Sequence, residues 1–329
     1  EDVGLVADAT GTNRLQLDDA AMPTTAAMSS LAGRLANFHV NTGGAGSFGD
    51  LFAVRGLTNT PYFSDPSVTV YFDDLPLSGS ATYPTGLFGF ASATLHRGPQ
   101  ATSFGRAGEG GVMVFSSANL TALAGGELRA SAGNFAARSV ALSARSARSD
   151  KVDAAVSAAY NERDGFIQNT ELGQRVDDQQ STAVSARVRV RPTATSELTF
   201  QFLGSRLRNG AQPLVPLGGP VFSVARGREG ETGVDFGGGA FKAAFDTALG
   251  RLSATTSYTD WELNPFTNRL ILPPTLDSSV VQAQRTWNEE IRLTSNPQSA
   301  LAWSAGAWFS DAHTTGSVQR EIPGLFPIE

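Results

Sequence analysis

The sequence contains no cysteine at any of its 329 positions. This absence excludes disulfide bonds, thiol catalysis and cysteine-ligated zinc sites. Charged residues are also scarce: they make up 17% of the chain, whereas a typical soluble domain has about 25%. The net charge is −6, and no run of lysine and arginine provides the basic patch that nucleic-acid binding requires.

Long hydrophobic runs are missing as well. No apolar stretch approaches the roughly 18 residues of a membrane helix. The first residues, "EDVGLVADAT", lack the basic and apolar segments of a signal peptide, so we expect either a protein that is not exported or a chain whose leader is missing. The lack of a long apolar run does not exclude a membrane β-barrel, because the lipid-facing residues of a barrel alternate with polar ones.

Motifs that would carry enzymatic chemistry are not found. The segment "GGAGSFG" at 43–49 has the glycine spacing of a dinucleotide site, but strand-like sequence follows it where such a site needs a helix. The three histidines have no metal-ligand spacing, and no G-x-S-x-G nucleophile motif occurs. We therefore predict that the protein is not an enzyme and uses no catalytic residue, metal or cofactor.

Residues 1 to about 118 mix helical and strand patterns. The segment "TTAAMSSLAGRLANFHV" (24–40) predicts one amphipathic helix with Leu31, Leu35 and Phe38 on a single face. "DLFAVRG" and "SVTVYFDDLPL" predict short strands bounded by turn residues, and "TGLFGFAS" predicts a short helix or turn. This part of the chain is expected to be a small α+β domain.

From about residue 119 onward, polar and apolar residues alternate. In "KVDAAVSAAY" (151–160) and "STAVSARVRVRP" (181–192) the period is two. About nine such segments of about ten residues occur, the length of a tilted membrane strand. Short turns ("PTATS", "NPQSA") and long Gly/Pro-rich loops, such as 208–239, separate them, as in an outer-membrane barrel.

A soluble β-sandwich would also alternate and is the competing interpretation. The membrane barrel is favoured because one polar face carries three arginines in a row, and because Tyr160, Trp261 and Trp303 lie near strand ends, where barrels have aromatic girdles.

Three segments in the first part resemble one known family. They are "FAVRGLTN" (52–59), "VTVYFDDLPL" (68–77) and "LHRGPQATSFGRAGEGGVMVFSS" (95–117). Two later segments, "AYNERDGFIQN" and "NEEIRLTS", fit the same family. Together they resemble the TonB-dependent receptors of bacterial outer membranes.

The resemblance implies an α+β plug domain followed by transmembrane antiparallel β-barrel strands. We expect an N-terminal extension over 1–14, with a weak TonB box in "EDVGLVA", a plug over 15–118 and the first part of the barrel over 119–329. Family barrels have about 22 strands, which at about ten residues each need more residues than follow position 118. We therefore expect an incomplete barrel, from a fragment or a truncated gene product.

The resemblance also implies specific plug residues. Its turn and signature positions are Gly56, Asp73, Gly98, Pro99, Gly105, Gly110 and Gly111. Arg55 and Arg97 are implied to form ion pairs, an ionic lock, with glutamates of the barrel. Glu290 is the candidate partner, because the polar–apolar alternation of its strand places it on the inward face. The alternative is that both arginines are ordinary solvated turn residues. Asp74 replaces the family's usual glycine, in a turn where aspartate tolerates a positive φ.

The function implied is energy-coupled uptake of a large, scarce ligand across the outer membrane of a Gram-negative bacterium. The leading ligand would be a ferric siderophore, ahead of haem, cobalamin or an oligosaccharide. The partners would be outer-membrane lipid and a TonB-type energy-transducing complex. Basic segments such as "RVRVRP" would suit an anionic ligand, or would form a charged, water-facing wall. The alternative function is a passive porin or ligand-binding barrel without energy coupling.

Overall fold

The computed structural model describes residues 12–17, 28–41, 51–58, 66–84, 86–105, 108–117, 124–147, 149–210, 218–270 and 276–322. Strands dominate this part of the chain, and no helix in it is long and apolar enough to span a membrane. The predicted TonB box, the glycine motif at 43–49 and the end of the chain after residue 322 lie outside the described residues.

Up to residue 117, the described residues form short strands and three single-turn helices. The helices are two 3-10 turns, Met28–Leu31 and Ser80–Thr82, and the α-helix α1, Ala101–Phe104. The strands are β1 (Thr12–Gln16), β2 (Phe38–Asn41), β3 (Leu51–Val54), β4 (Leu57–Thr58), β5 (Val68–Phe72), β6 (Leu75–Leu77), β7 (Phe90–Arg97) and β8 (Gly111–Ser117). We call this part the plug.

The plug is built on a five-stranded sheet in the order β1-β7-β8-β5-β6. Strands β5 and β8 run parallel, and β7 pairs with β8 antiparallel. The apolar run Val112–Phe115, predicted as the last strand of the plug, lies inside β8. A small β2-β3-β4 sheet accompanies this sheet, and the two share one hydrophobic core that includes Phe52, Phe72 and Phe115.

The amphipathic helix predicted over 24–40 is wrong. Among the described residues 28–40, only Met28–Leu31 is helical, as a 3-10 turn, and Phe38 already belongs to β2. Asn37 takes a positive φ of 57°, which ends any helical path before the strand. Leu31, Leu35 and Phe38 are nevertheless all buried in the core, so the pattern identified burial correctly and the backbone wrongly.

The second part of the chain forms long antiparallel strands. These are β9 (Gly125–Ala132), β10 (Arg138–Arg145), β11 (Val152–Arg163), β14 (Gln179–Thr193), β15 (Ser196–Gly210), β17 (Glu231–Asp246), β18 (Gly250–Leu270), β19 (Leu276–Ser295) and β20 (Ser304–Glu321). They make one sheet in chain order. The prediction of about nine barrel strands is confirmed, with an open sheet rather than a closed barrel.

The connections at the two ends of the strands differ in length, as predicted. At one end they are tight turns, such as the two residues between Thr193 and Ser196. At the other end the connections are longer: the one between β11 and β14 carries β12 (Ile167–Asn169) and β13 (Gln174–Val176), and the one between β15 and β17 carries β16 (Ser223–Val224). The predicted loop over 208–239 is too long, because β17 already begins at Glu231 and takes in the glycines at 237–239.

The two faces of the nine-stranded sheet have opposite character. Outward-pointing residues such as Val156, Phe200 and Ile291 are about half exposed. Inward-pointing polar residues such as Asp153 and Thr259 are fully buried. A soluble sandwich would bury its apolar stripes, so this arrangement contradicts the sandwich and matches an inside-out barrel wall.

The aromatic prediction is wrong for Trp261. Its side chain is 6% exposed and points inward, on the same face of β18 as Ser257 and Thr259, where it packs in the plug core. Trp303 is 36% exposed, and Tyr160 lies near the long-loop end of β11 with its hydroxyl bonded to Glu162. Only these two remain candidates for a girdle.

Candidate functional site

The hairpin β5–β6 inserts its tip into the inner face of the sheet. Register pairs Phe72 with Leu75, so Asp73 and Asp74 form a two-residue turn. Asp73 has the positive φ, 49°, and not Asp74 as predicted. The backbone N–H of Asp73 donates to the carbonyl of Phe115 (2.8 Å), which ties the turn to β8.

Two ion pairs join this tip to the sheet. Asp73 Oδ1 lies 3.2 Å from Arg187 Nη1 on β14, and its side chain is 6% exposed. Asp74 Oδ1 lies 2.7 Å from Lys242 Nζ on β17, where both side chains are about a quarter to a third exposed. The two ion pairs bind adjacent residues of the turn to two different strands of the sheet. They therefore fix the position of the turn across the sheet as well as its distance from the sheet.

Neutral contacts support the same hairpin. Gln201 Nε2 donates to the carbonyl of Phe72 (3.0 Å), and Trp261 Nε1 donates to Ser78 Oγ (3.1 Å). A Cβ on Gly238 would lie 3.1 Å from Leu75 Cδ2. The same Cβ would lie 2.9 Å from Thr259 Cγ2, so glycine at this position lets the hairpin lie close to the wall without displacing either side chain.

The two aspartates have opposite pKa shifts. Burial raises the pKa of Asp73 above its ordinary value, and the Arg187 guanidinium opposes that rise only in part. Burial acts on the pKa of Asp74 in the same direction, but the Lys242 ammonium, with Arg187 and Arg292 further away, outweighs it and leaves that pKa lowered. The tip therefore holds one firmly ionised carboxylate beside one that is easier to protonate.

The predicted signature residues shape tight turns. Positive φ values occur at Gly56, Gly98, Gly105 and Gly111. Gly98 N–H donates to the carbonyl of Gly110 (3.0 Å), which closes the loop between β7 and β8. Pro99 lies two residues after the end of β7 and two residues before the start of α1.

The predicted lock residues occupy three different environments. Arg97 is buried, and its Nε donates to the carbonyl of Ala36 (3.1 Å). Arg55 sits in an exposed turn at φ 52°. Glu290 points inward as expected and lies 2.8 Å from Arg292 of its own strand. A lock between Glu290 and the two plug arginines stays a prediction.

The signature loop does come close to the strand next to Glu290. A Cβ on Gly105 would lie 2.7 Å from the Trp308 ring. Trp308 on β20 is the cross-strand partner of Glu290. Because Arg292 acts electrostatically on Asp74, Glu290 also lies near the hairpin tip.

The arginines expected to make the wall basic are neutralised. Arg189 and Arg191 both bind Asp153 Oδ2, at 2.7 and 2.8 Å, and Arg187 is the partner of Asp73. All three point inward, as the alternation predicted, but their charge is compensated by carboxylates. The wall therefore supports the charged-wall alternative better than an anion-binding surface.

A cavity of about 250 Å³ lies between the plug and strands β9 to β14. Its lining includes Arg129 and Phe88, whose guanidinium and ring are 5.5 Å apart, and Arg187. No cluster of three or more His, Asp or Glu side chains in the described part of the chain is arranged to hold a metal ion. The cavity is thus a polar gap between the plug and the nine-stranded sheet.

Sequence reasoning missed Gln201, Lys242 and Trp261 as interface residues. Alternation could have found them, since each has the parity of the inward face of its strand. Their plug partners could not have been found that way, because those contacts span 127 to 183 residues of sequence.

No protein-family model matches the chain. Among solved structures it is similar to the ferric yersiniabactin uptake receptor FyuA from Yersinia pestis, at 15% identity and a TM-score of 0.81, covering 97% of this chain and 50% of that one. It is also similar to the ferric-catecholate import receptor Fiu from E. coli K12, at 14% identity and 0.72, covering 94% and 50%. The copper transporter OprC matches at 12% identity and 0.67, covering 97% and 48%.

These similarities show the fold. The chain has the plug-and-strand arrangement of TonB-dependent receptors, and it spans about half the length of the solved structures that it matches. The fold class expected from the sequence is confirmed.

Proposed function

We propose that the chain is the plug and first barrel strands of an outer-membrane receptor that takes up a ligand by energy coupling. The plug would occupy 15–118 and the barrel strands 119–329. The observation that carries the proposal is the burial of a polar sheet face against a plug held by two ion pairs, while the opposite face exposes apolar side chains.

An interface of this kind suits a plug that must close the barrel and also be able to move. The two ion pairs have partly exposed partners and can break and reform in water. They lie beside an apolar part of the interface, in which Phe236 and Trp261 of the wall pack in the plug core. The cavity beside Phe88 gives a place where the seal is already incomplete. Both features favour transport over a permanently closed barrel.

The energy-transducing partner proposed is a TonB-type inner-membrane complex that pulls on the N-terminal extension. Strand β1 follows that extension and lies at the edge of the plug sheet, paired only with β7 in the described residues. A pull on residues 1–7 would therefore reach the plug sheet through five residues of edge strand.

The ligand proposed is a ferric siderophore. Of the three similar structures above, one takes up ferric yersiniabactin, one imports ferric catecholates and the third transports copper.

The test is uptake of radioactive ferric siderophore by cells that make the full-length protein. Leu5→Pro in the extension should abolish uptake and leave surface binding intact, because it disturbs only the segment that is pulled. Leu5→Ala is the matched control and should keep both. Uptake that survives an uncoupler of the proton-motive force would overturn the proposal and favour the passive porin.

A further inference from the structure

Three neighbouring strands of the wall hold the tip of the plug hairpin. Strand β14 provides Arg187, β17 provides Lys242, and β15, which lies between them in the sheet, provides Gln201. The two cations bind the two carboxylates of the turn. Gln201 Nε2 donates to the backbone carbonyl of Phe72 at 3.0 Å. We call these three wall residues the socket.

The cations of the inner face differ in the origin of their carboxylate partners. Other arginines of this face bind carboxylates of the wall itself: Arg189 and Arg191 bind Asp153, Arg251 binds Asp246, and Arg292 binds Glu290. Arg187 and Lys242 instead bind carboxylates of the plug. The positive charge of the socket is therefore compensated by the plug, and it loses this compensation when the hairpin moves away.

Withdrawal of the hairpin would leave two cations near each other on the inner face, beside the amide of Gln201. Two like charges without a counter-ion repel each other and attract an anion. The plug turn shows which anion fits, since Asp73 and Asp74 place two carboxylates on one guanidinium and one ammonium group. The two aspartates thus occupy the positions that the acidic groups of a ligand would take.

Small anions can reach the socket beside the docked plug. The side chains of Arg187 and Lys242 are 22% and 34% exposed. Arg187 and Ser117 also line the cavity of about 250 Å³ between the plug and strands β9 to β14, and the acidic side chain of that lining, Glu127, is already bound by Arg129. An anion in this cavity would lie next to the ion pair that it has to replace.

We propose that the socket is a binding site for the acidic groups of the transported ligand, and that the plug aspartates occupy it while no ligand passes. The ligand class is an anion with at least two carboxylates or comparably acidic oxygen groups. By replacing the aspartates, such a ligand would stabilise the withdrawn position of the hairpin. The inference rests on the transport function proposed above, to which it adds the charge of the ligand and a place on the wall that holds it.

The test measures amide hydrogen exchange of residues 68–77 in the purified full-length protein, with succinate as the probe. Succinate that binds only the withdrawn state multiplies the population of that state by one plus the ratio of its concentration to its Kd. For a Kd of about 10 mM, succinate at about 100 mM should quicken exchange about tenfold. Sodium chloride at the same ionic strength and the uncharged succinamide should each change it by less than about twofold.

Variants of the wall show whether the socket carries this response. Arg187→Gln/Lys242→Gln should quicken exchange without any probe and should lose the response to succinate. Lys242→Arg keeps the charge and should keep the response. Arg189→Gln is the matched control, because its partner Asp153 belongs to the wall, and its response should stay within about twofold of the wild type.

Equilibrium dialysis with radioactive succinate measures binding even where a variant no longer docks its hairpin. Asp73→Asn/Asp74→Asn removes the competing carboxylates with little change in shape, and it should bind succinate about tenfold more tightly than the wild type or better. Adding Arg187→Gln/Lys242→Gln to this variant should abolish the gain.

Equal acceleration of exchange by succinate and by sodium chloride would overturn the proposal, as would unchanged succinate affinity in Asp73→Asn/Asp74→Asn. Uptake of ferric siderophore by cells separates this proposal from the proposed function. A socket that does not bind succinate, together with energy-dependent uptake, refutes only the socket. Succinate binding together with uptake that is absent or uncoupler-resistant refutes only the transport function.

Discussion

Arg187→Met should loosen the tip of the plug hairpin. The substitution keeps an unbranched apolar stem and removes the guanidinium, whose Nη1 lies 3.2 Å from the buried carboxylate of Asp73. Breaking a buried pair in this way costs about 3–5 kcal/mol when the remaining charge has no alternative. Here Asp73 can protonate, since burial already raises its pKa, and it keeps the N–H of Ser117 at 3.1 Å.

We therefore expect a loss of about 2–3 kcal/mol in the free energy of docking the hairpin. Because each 1.4 kcal/mol is a factor of ten, amide hydrogen exchange in residues 68–77 should quicken by roughly 30- to 150-fold. Mass spectrometry of peptides from the full-length protein measures this directly.

Arg189→Met is the matched control. Arg189 lies two residues away on the same face of the same strand, but its partner is Asp153 of the wall, so hairpin exchange should stay within about twofold of the wild type. The double variant Asp73→Asn/Arg187→Met should recover part of the loss, because no unpaired carboxylate remains. The reasoning fails if Arg187→Met leaves hairpin exchange unchanged, or if Arg189→Met has an equal effect.

Three further predictions concern the same interface. Gly238→Val should destabilise docking by about 1–3 kcal/mol, since its side chain would press on Leu75, whereas Gly237→Ala on the open outer face should leave hairpin exchange unchanged. Trp261→Phe removes the indole hydrogen bond to the plug and should cost about 1 kcal/mol, seen as roughly fivefold faster exchange; no change would show that the bond is not formed in solution. The pKa of Asp73 is raised in the folded protein, so its contribution to stability is greatest below its ordinary pKa and declines as pH rises through the raised value. Exchange corrected for its intrinsic pH dependence should thus be slower in mild acid than at neutrality, and Asp73→Asn should flatten that slope.

Much of the fold was predictable because strand alternation reports directly on which face is buried. In "KVDAAVSAAY" the alternation places Asp153 and Ser157 on one face, and the structure buries both. The segment at 95–117 likewise predicted a loop of glycines followed by a strand. Both signals are local, so they survive without knowledge of the tertiary structure.

Errors arose where a local pattern had two structural solutions. Leu31, Leu35 and Phe38 have helical spacing, yet a turn followed by a strand buries them equally well. Trp261 was assigned to a girdle because it lies near a strand end, although its parity with Thr259 indicated the inward face. Aromatic identity was given more weight than alternation, and alternation was the better guide.

The residue pairs that join the plug to the wall could not be predicted from the sequence, for a different reason. Asp74 and Lys242 are separated by 168 residues, and nothing in either local sequence specifies the other. Alternation can place a charge on the inner face, but only the packing of the plug against the wall determines which charge it meets. The same limit applies to the predicted partner of Glu290.

A designed disulfide tests most directly whether the plug lies against the inner face of the strands. The native chain has no cysteine, so Gly105→Cys with Trp308→Cys introduces a single possible pair. A Cβ at Gly105 would lie 3.0 Å from Trp308 Cβ, which is shorter than the roughly 3.5–4.5 Å of disulfides. The loop must therefore move back by about half an ångström for the bond to form, and it must accept cysteine at the positive φ of Gly105. We predict complete cross-linking of the folded full-length protein under mild oxidation, and none for Gly105→Cys with Phe309→Cys, because Phe309 points outward. Equal cross-linking of the two pairs, or none at Trp308, would contradict the account.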